Sequence, residues 1–519
     1  MTAPQPEKSS AASLNRSTSP ESTSREGFAV FLLCLVIFLA VGFWTSRRLQ
    51  VFSAEALNAA WLAKILGFGR FPLASDSRLF LLPLPVILQM PLMAIPALQP
   101  DVSAGLVISA FSAALLGALL FRLARVVGLS APLRWLLLLS FITNPFILVE
   151  SASGSPLMLL MCLFFSLLFF AFHWLKIRNW LTLVNLGMAA ALAVITRFNA
   201  LVLVSIPLIL VGISALWEKP EQPEYAENAI WIIATPVVYI LLSRFFFSGF
   251  LTGNAVSFSG YDARLPLQLD MPATLSELGS LRFLGPSLAA FVVQISHVFL
   301  PIFPILALLI IVSALNFRWN NILFLAFCCL PVALAYSETE IFLNRYLLFI
   351  IPAGLFLLIL ALELFKRGKT LTALAAVLLI LAFNANLTLS ILESPNPSEQ
   401  RTFLSSWLRG SPRDNFSGAV EMATFIDQRG LEPILILDQT AGPVVAFSAV
   451  PARFISPLDA DFRSILSNLK NYQGYLLLSS AQPPDFNNVL PGLTASSSAA
   501  LEKQVGGWYL ISITPEFSQ

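Results

Sequence analysis

The sequence predicts a mainly α fold: a polytopic membrane helix bundle of about eleven transmembrane helices, followed by a small C-terminal α/β extracytoplasmic domain. Three observations lead there. Of the 519 residues, 57% are hydrophobic and only 12% charged, a balance outside that of soluble domains. The apolar residues come in long unbroken runs, with the charges gathered between them. After about residue 394 the runs stop, and short strand-like and helix-like patterns alternate.

Residues 1–27 are rich in Ser, Thr, Pro and charge, which cannot bury enough apolar surface to fold, and they read as a disordered cytoplasmic tail. The run from Phe28 to Trp44 is long for a secretory signal, and Thr45, Ser46, Arg47 and Arg48 give no small-residue cleavage site, so it reads as an uncleaved first helix. Further spans are expected at 102–121, 132–150, 156–175, 179–196, 199–215, 229–245, 287–312, 321–337, 346–364 and 371–391, most near the ~20 residues that a bilayer core demands. Leu79–Leu98 is apolar but carries Pro83, Pro85, Pro91 and Pro96. Each removes a backbone donor, and unsatisfied backbone in lipid costs several kcal/mol, so this stretch is expected to lie at the surface.

Charge fixes the expected orientation. With the N-terminus cytoplasmic, Arg122, Arg125 and Arg134, then Lys176 and Arg178, then Arg318, then Lys366, Arg367 and Lys369 all fall inside. The transmembrane region is then 28–393. Its outer side carries a long first loop at 46–101, a second near Ser248–Pro286, and the C-terminal region 394–519. In that region a helix is expected from Gly418, strands at Ile434–Leu437, Phe454–Ile455, Tyr475–Leu478 and Trp508–Ile513, and a helix over Asp459–Leu469. No Gly-rich phosphate fingerprint follows the first strand, so the region reads as a lid or recognition domain.

The net charge of +2 gives no sign of nucleic-acid binding. The four cysteines, Cys34, Cys162, Cys328 and Cys329, lie in apolar runs with no zinc spacing, and the two histidines, His173 and His297, stand alone. No metal site and no cofactor is expected.

An enzyme acting on a lipid-linked phosphate must meet it at the headgroup, which directs attention to polar residues at outer helix ends. In Ser53–Lys64, Leu57, Trp61 and Ile65 make one apolar stripe while Glu55 and Asn58 face the other way, so an interfacial helix would aim a carboxylate away from lipid. Such a carboxylate reads either as a general base over an acceptor hydroxyl or as a solvated surface acid. Arg345, in Asn344-Arg345-Tyr346 and downstream of Glu338 and Glu340, reads as a phosphate-binding fork or as a snorkelling charge. Arg197 with Asn199 reads as a second phosphate contact or as a helix-terminating charge. Asp76-Ser77-Arg78 with Glu150 forms a polar group whose members also suit a local ion pair. His297 suits packing better than catalysis.

With these residues in view, the chain resembles the GT-C superfamily of membrane glycosyltransferases, in the branch of protein O-mannosyltransferases and the aminoarabinose transferase of lipid A. The resemblance rests on Ala54-Glu55-Ala56 with Leu66-Gly67, Leu82-Pro83-Leu84-Pro85, Asn144-Pro145-Phe146, Thr196-Arg197-Phe198-Asn199, Asn344-Arg345-Tyr346 with Ile351-Pro352, and Gly507-Trp508-Tyr509-Leu510. It implies transfer of a hexosyl group from a polyprenyl-phosphate-linked sugar donor to a lipid, glycan or protein acceptor on the outer face, with inversion. It assigns the base role to Glu55 and the phosphate to Arg345 and Arg197, with Tyr346, Asn58, Asp76 and Arg78 lining the substrate, and needs neither nucleotide sugar nor metal. Two departures stand out. Ala54 occupies the position expected for an aspartate, and Ser151-Ala152-Ser153-Gly154-Ser155 follows the third span where relatives often carry an acid. Either Glu55 acts as base alone or the chain is a divergent, inactive scaffold. A transporter would instead require repeated span lengths and ionisable groups deep in the bundle, which the sequence lacks.

Overall fold

The computed structural model describes residues 20–69, 83–99, 101–177, 180–196, 369–393, 399–410, 416–436, 441–456, 459, 461–467, 471–479 and 497–515, with the single positions 200, 204, 208, 355 and 359. The expected spans at 199–215, 229–245, 287–312, 321–337 and 346–364 lie outside the described residues. Helix α1 (Pro20–Trp44) runs into a π-helical turn, Thr45–Leu49, which Gln50 ends in a left-handed conformation. Then follow α2 (Ala54–Phe68), α3 (Pro83–Met93), α4 (Ser103–Val126), α5 (Ala131–Ile142), α6 (Pro145–Ser153), α7 (Pro156–Ile177), α8 (Trp180–Thr196) and α9 (Lys369–Glu393).

Among the described residues four helices are long and apolar enough to cross a membrane: Arg25–Leu49, Ser103–Val126, Pro156–Trp174 and Thr370–Glu393. Helix α4 stands at their centre, against α1, α5, α6 and α7. Small residues let it approach. Gly117 meets Cys34 of α1 and Leu138 of α5, while Gly42 of α1 lies against Leu106.

The structure corrects three expectations. Residues 20–27 are helical and belong to α1. Glu26 there pairs with Arg125 at 2.8 Å and Arg134 at 3.3 Å, so the ends of α4 and α5 neutralise an acid that composition alone assigned to a disordered tail. The span expected at 132–150 is two helices, α5 and α6, bent by 64°. Pro145 lacks the N–H that would continue the helix, and Asn144 caps the new start by accepting from the backbone N–H groups of Phe146 and Ile147. Asn384 of α9 completes the break: its amide donates to the Ser140 carbonyl at 2.7 Å and accepts from Asn144 Nδ2 at 2.9 Å. These bonds satisfy the Phe146 and Ile147 N–H groups and the Ser140 carbonyl at the bend. Finally, α3 is an 11-residue helix, too short to span, but it is no surface ornament. Val86, Gln89 and Met93 are buried where it packs on α2, α4 and α8.

The C-terminal segment begins with α10 (Glu399–Arg409) and α11 (Ser417–Arg429), then alternates β1 (Ile434–Ile436), α12 (Gly442–Phe447), β2 (Phe454–Ile455), α13 (Phe462–Ser467), β3 (Gly474–Ser479), β4 (Ser497–Val505) and β5 (Trp508–Pro515). The sheet order is β2-β1-β3-β5-β4, with β1 parallel to β2 and β3, and β5 antiparallel to β3 and β4. Side chains alternate across it. Leu435, Ile455, Leu476 and Ile511 face Phe462 and Tyr472, whereas Ile434, Ile436, Phe454, Leu477 and Leu510 face α11, α12 and, beyond them, α2.

Candidate active site

Helix α2 carries the expected base, and its surroundings differ from the interfacial setting that its stripe suggested. Leu57, Trp61 and Ile65 do form one face, but that face is fully buried in a core shared with α11, α12 and β1 rather than laid in lipid. Each such side chain contributes about 1.5–3 kcal/mol on burial, so α2 belongs energetically to the C-terminal segment as much as to the bundle. The approach is close: a side chain at Gly442, in the first turn of α12, would overlap the indole of Trp61. On its other side α2 meets α3 and α4, with Ala56 close to Gly154.

The far half of α2 is tied by Lys64, which is 1% exposed. Its ammonium donates to the carbonyl oxygens of Ala446 and of Ser448, the latter at 2.9 Å. Burial pushes its pKa down to about 8, with the charges of Asp101 and Asp427 opposing that shift. Asp427 in turn accepts from Ser448 Oγ at 2.8 Å and the Ala449 N–H at 2.7 Å, and lies 3.3 Å from Arg453. Asp101 is itself pushed above the usual carboxylate range by burial, opposed by Lys64 and Arg47.

The near half holds Glu55 and Asn58, both half-buried, on the first turns. Leu57 N–H bonds to the Ser53 carbonyl at 3.0 Å, and the Ser53 side chain makes no cap of its own. A carboxylate from elsewhere fills that place. Glu399, the first residue of α10, accepts from the Ala54 N–H at 3.1 Å and from Ser53 Oγ at 3.3 Å. Helix α10 is fixed there by Phe403 and Leu404, buried among Leu49, Val51 and Val149, and by Trp407 Nε1, which donates to Thr45 Oγ1 at 2.7 Å. The serine-rich end of α6 adjoins the same spot: Gly154, its C-cap at φ +78°, lies between Leu106 and Ala56, and Ser109 Oγ donates to the Ser151 carbonyl at 2.8 Å.

Of the expected site residues, the structure thus places Glu55 and Asn58 on the first turns of α2, at the end of the bundle where α1 ends and α4 begins. Arg345, Tyr346, Arg197, Asp76 and Arg78 lie outside the described residues, as do Asn199 and His297. Glu150 is buried in α6 at 7% exposure. Sequence reasoning missed Glu399, whose partners stand 345 and 346 residues away, and missed Lys64 as a latch. An isolated Lys inside an otherwise apolar helix face was the available signal for the latter.

No protein-family model and no curated protein matches the chain. Solved structures do. ArnT from Cupriavidus metallidurans bound to undecaprenyl phosphate superposes with a TM-score of 0.56 at 15% identity, over 95% of this chain and 98% of that one. The same protein in the apo state gives 0.55 at 13%, over 94% and 98%. The archaeal oligosaccharyltransferase AglB from Archaeoglobus fulgidus gives 0.42 at 13%, over 88% and 69%. The chain therefore shares its fold with ArnT, the fold that the resemblance in its sequence led one to expect. Within that fold it is similar to ArnT along nearly its whole length.

Proposed function

We propose that this chain is a glycosyltransferase that moves a hexosyl group from a polyprenyl-phosphate carrier to an acceptor on the outer face of a bacterial plasma membrane, with inversion at the anomeric carbon. The observation that carries the reading is the end-to-end fold match to a structure holding undecaprenyl phosphate. The position of Glu55 supports it: a half-buried carboxylate on a helix clamped between the bundle and the C-terminal segment, not adrift on a loop.

In this reading the N-terminus is cytoplasmic and residues 394–519 form an extracytoplasmic domain over the start of α2. The Glu55 carboxylate takes the proton of the acceptor hydroxyl as its oxygen bonds to the anomeric carbon, from the face opposite the phosphate. The bond from that carbon to the phosphate oxygen breaks, and its electron pair leaves with polyprenyl phosphate. Arg345, with Arg197, stabilises the charge that develops there. Tyr346, Asn58, Asp76 and Arg78 line the sugar and acceptor. The acceptor is a lipid, a glycan or a protein.

The test is transfer of radiolabel in membranes from a panel of undecaprenyl-phosphate monosaccharides, comparing the parent chain with Glu55→Gln. Transfer by the parent and its loss in the variant are expected. Full transfer by Glu55→Gln would remove the base, and no transfer by the parent from any donor would instead favour a scaffold with the transferase fold.

A further inference from the structure

We infer that Glu399 is a positioning residue for the proposed base: its carboxylate, delivered by α10, holds the first turn of α2 and with it Glu55. The inference rests on the glycosyltransferase reading above and extends it to a residue which that reading does not use.

The first turn of a helix leaves its N–H groups without intrahelical partners, and a serine before it ordinarily turns its own hydroxyl onto them. Ser53 has the extended conformation of such a cap, φ −86° and ψ 137°, yet its hydroxyl makes no capping bond. It donates instead to one oxygen of Glu399, while the other oxygen accepts from the Ala54 N–H. Both oxygens are thus committed to the two residues that immediately precede Glu55. A carboxylate at this end is also favoured by the helix dipole.

The clamp is only as firm as what holds Glu399, and α10 is firmly seated. Its apolar face is buried against the π-helical turn and α6, and Trp407 is bonded to Thr45. Glu399 therefore ties the outgoing end of α1, α6 and the start of α2 to one point. A general base acts over hydrogen-bond distances, and a misplacement of about 1 Å costs about 100-fold in rate. Release of this turn should accordingly appear in kcat and not in donor binding.

The chemistry of the clamp separates charge from hydrogen bonding. A glutamine at 399 can accept from the Ala54 N–H through its carbonyl and donate to Ser53 Oγ through its amide, keeping both contacts; an alanine keeps neither. The experiment uses the full-length protein in detergent with whichever undecaprenyl-phosphate sugar the parent transfers. Expected for Glu399→Ala is a kcat lowered about 10- to 100-fold with donor KM within about 2-fold, and for Glu399→Gln a kcat within about 3-fold of the parent. In a Glu55→Gln background, Glu399→Ala should lower the residual rate no further. Amide hydrogen exchange over residues 51–61, which needs no donor, should quicken in Glu399→Ala and stay at the parental rate in Glu399→Gln.

The proposal is overturned by a Glu399→Ala variant with parental kcat, by an equal loss in Glu399→Gln, by a further loss in the Glu55→Gln background, or by unchanged exchange over 51–61. Failure of the base assignment reads differently, as full activity in Glu55→Gln alone.

Discussion

Raising the pH should strengthen the seating of α2 on the C-terminal segment, and Lys64 should be the reason. In the unfolded chain this ammonium has the ordinary pKa of 10.5, whereas burial against α12 brings it to about 8. Between those values the unfolded chain holds a proton that the folded chain has released, so proton uptake favours unfolding. Below pH 8 the folded protein bears the full cost of an enclosed charge; as pH rises from 8 to 10.5 that cost disappears. At about 1.4 kcal/mol for each pH unit, the displacement corresponds to about 3 kcal/mol. The measurement is denaturant unfolding in detergent at intervals from about pH 7 to about pH 11, for the parent and for Lys64→Met. Only their difference is read, because tyrosines and other lysines titrate in both proteins. Relative to the variant, the parent should gain about 3 kcal/mol across that window, nearly all of it above about pH 8. A flat difference, or one that falls with pH, would show that the ammonium is not enclosed by the Ala446 and Ser448 carbonyls as described.

Two further substitutions probe the frame around the site. Gly154→Ala places a side chain at φ +78° with its Cβ 3.1 Å from the Leu106 nitrogen and 3.5 Å from the Ala56 Cβ. It should cost about 1–2 kcal/mol and, by pushing on the first turn of α2, lower transfer about 10-fold, as thermal melting and the radiolabel assay would register. Asn384→Leu strips the donor from the Ser140 carbonyl and the acceptor from Asn144 at the bend between α5 and α6. A loss of about 1–3 kcal/mol in unfolding experiments is expected, and parental stability would mean that the bend does not depend on α9.

What the sequence disclosed follows the range of the interaction. Periodicity and run length are local, and they placed α1, α4, α7, α8 and α9, together with strands β1, β2, β3 and β5. The bend at Asn144-Pro145 also has a local cause, but averaging hydropathy over 132–150 hides the internal Pro145 among apolar residues. Helix α2 is the instructive case. Its apolar stripe is visible, yet the pattern Leu57, Trp61, Ile65 reports only that one face is dry, and lipid and a protein core satisfy it equally. The deciding partners, Val444, Val445 and Phe454, lie far along the chain. Glu26 was lost for the same reason, since the arginines that make its helix worthwhile belong to α4 and α5. The β4 strand escaped because Ser497–Val505 is mostly small and polar, and its pairing with β5 needs no apolar alternation.

These long-range ties share a target. Lys64 and Trp61 bind the later turns of α2 to α12, Glu399 binds its first turn through α10, and Gly154 lets the bundle approach from the opposite side. A loop residue would have been simpler to expose to a substrate, but a base must hold its place to within a fraction of an ångström, and side-chain packing on a single short helix cannot enforce that. Helix α2 has 15 residues, near the length at which an isolated helix is only marginally stable in water. Its order must therefore come from its neighbours. The C-terminal segment, which follows α9, supplies contacts at both ends of α2, so the proposed site is complete only once α10 and α12 have folded against that helix.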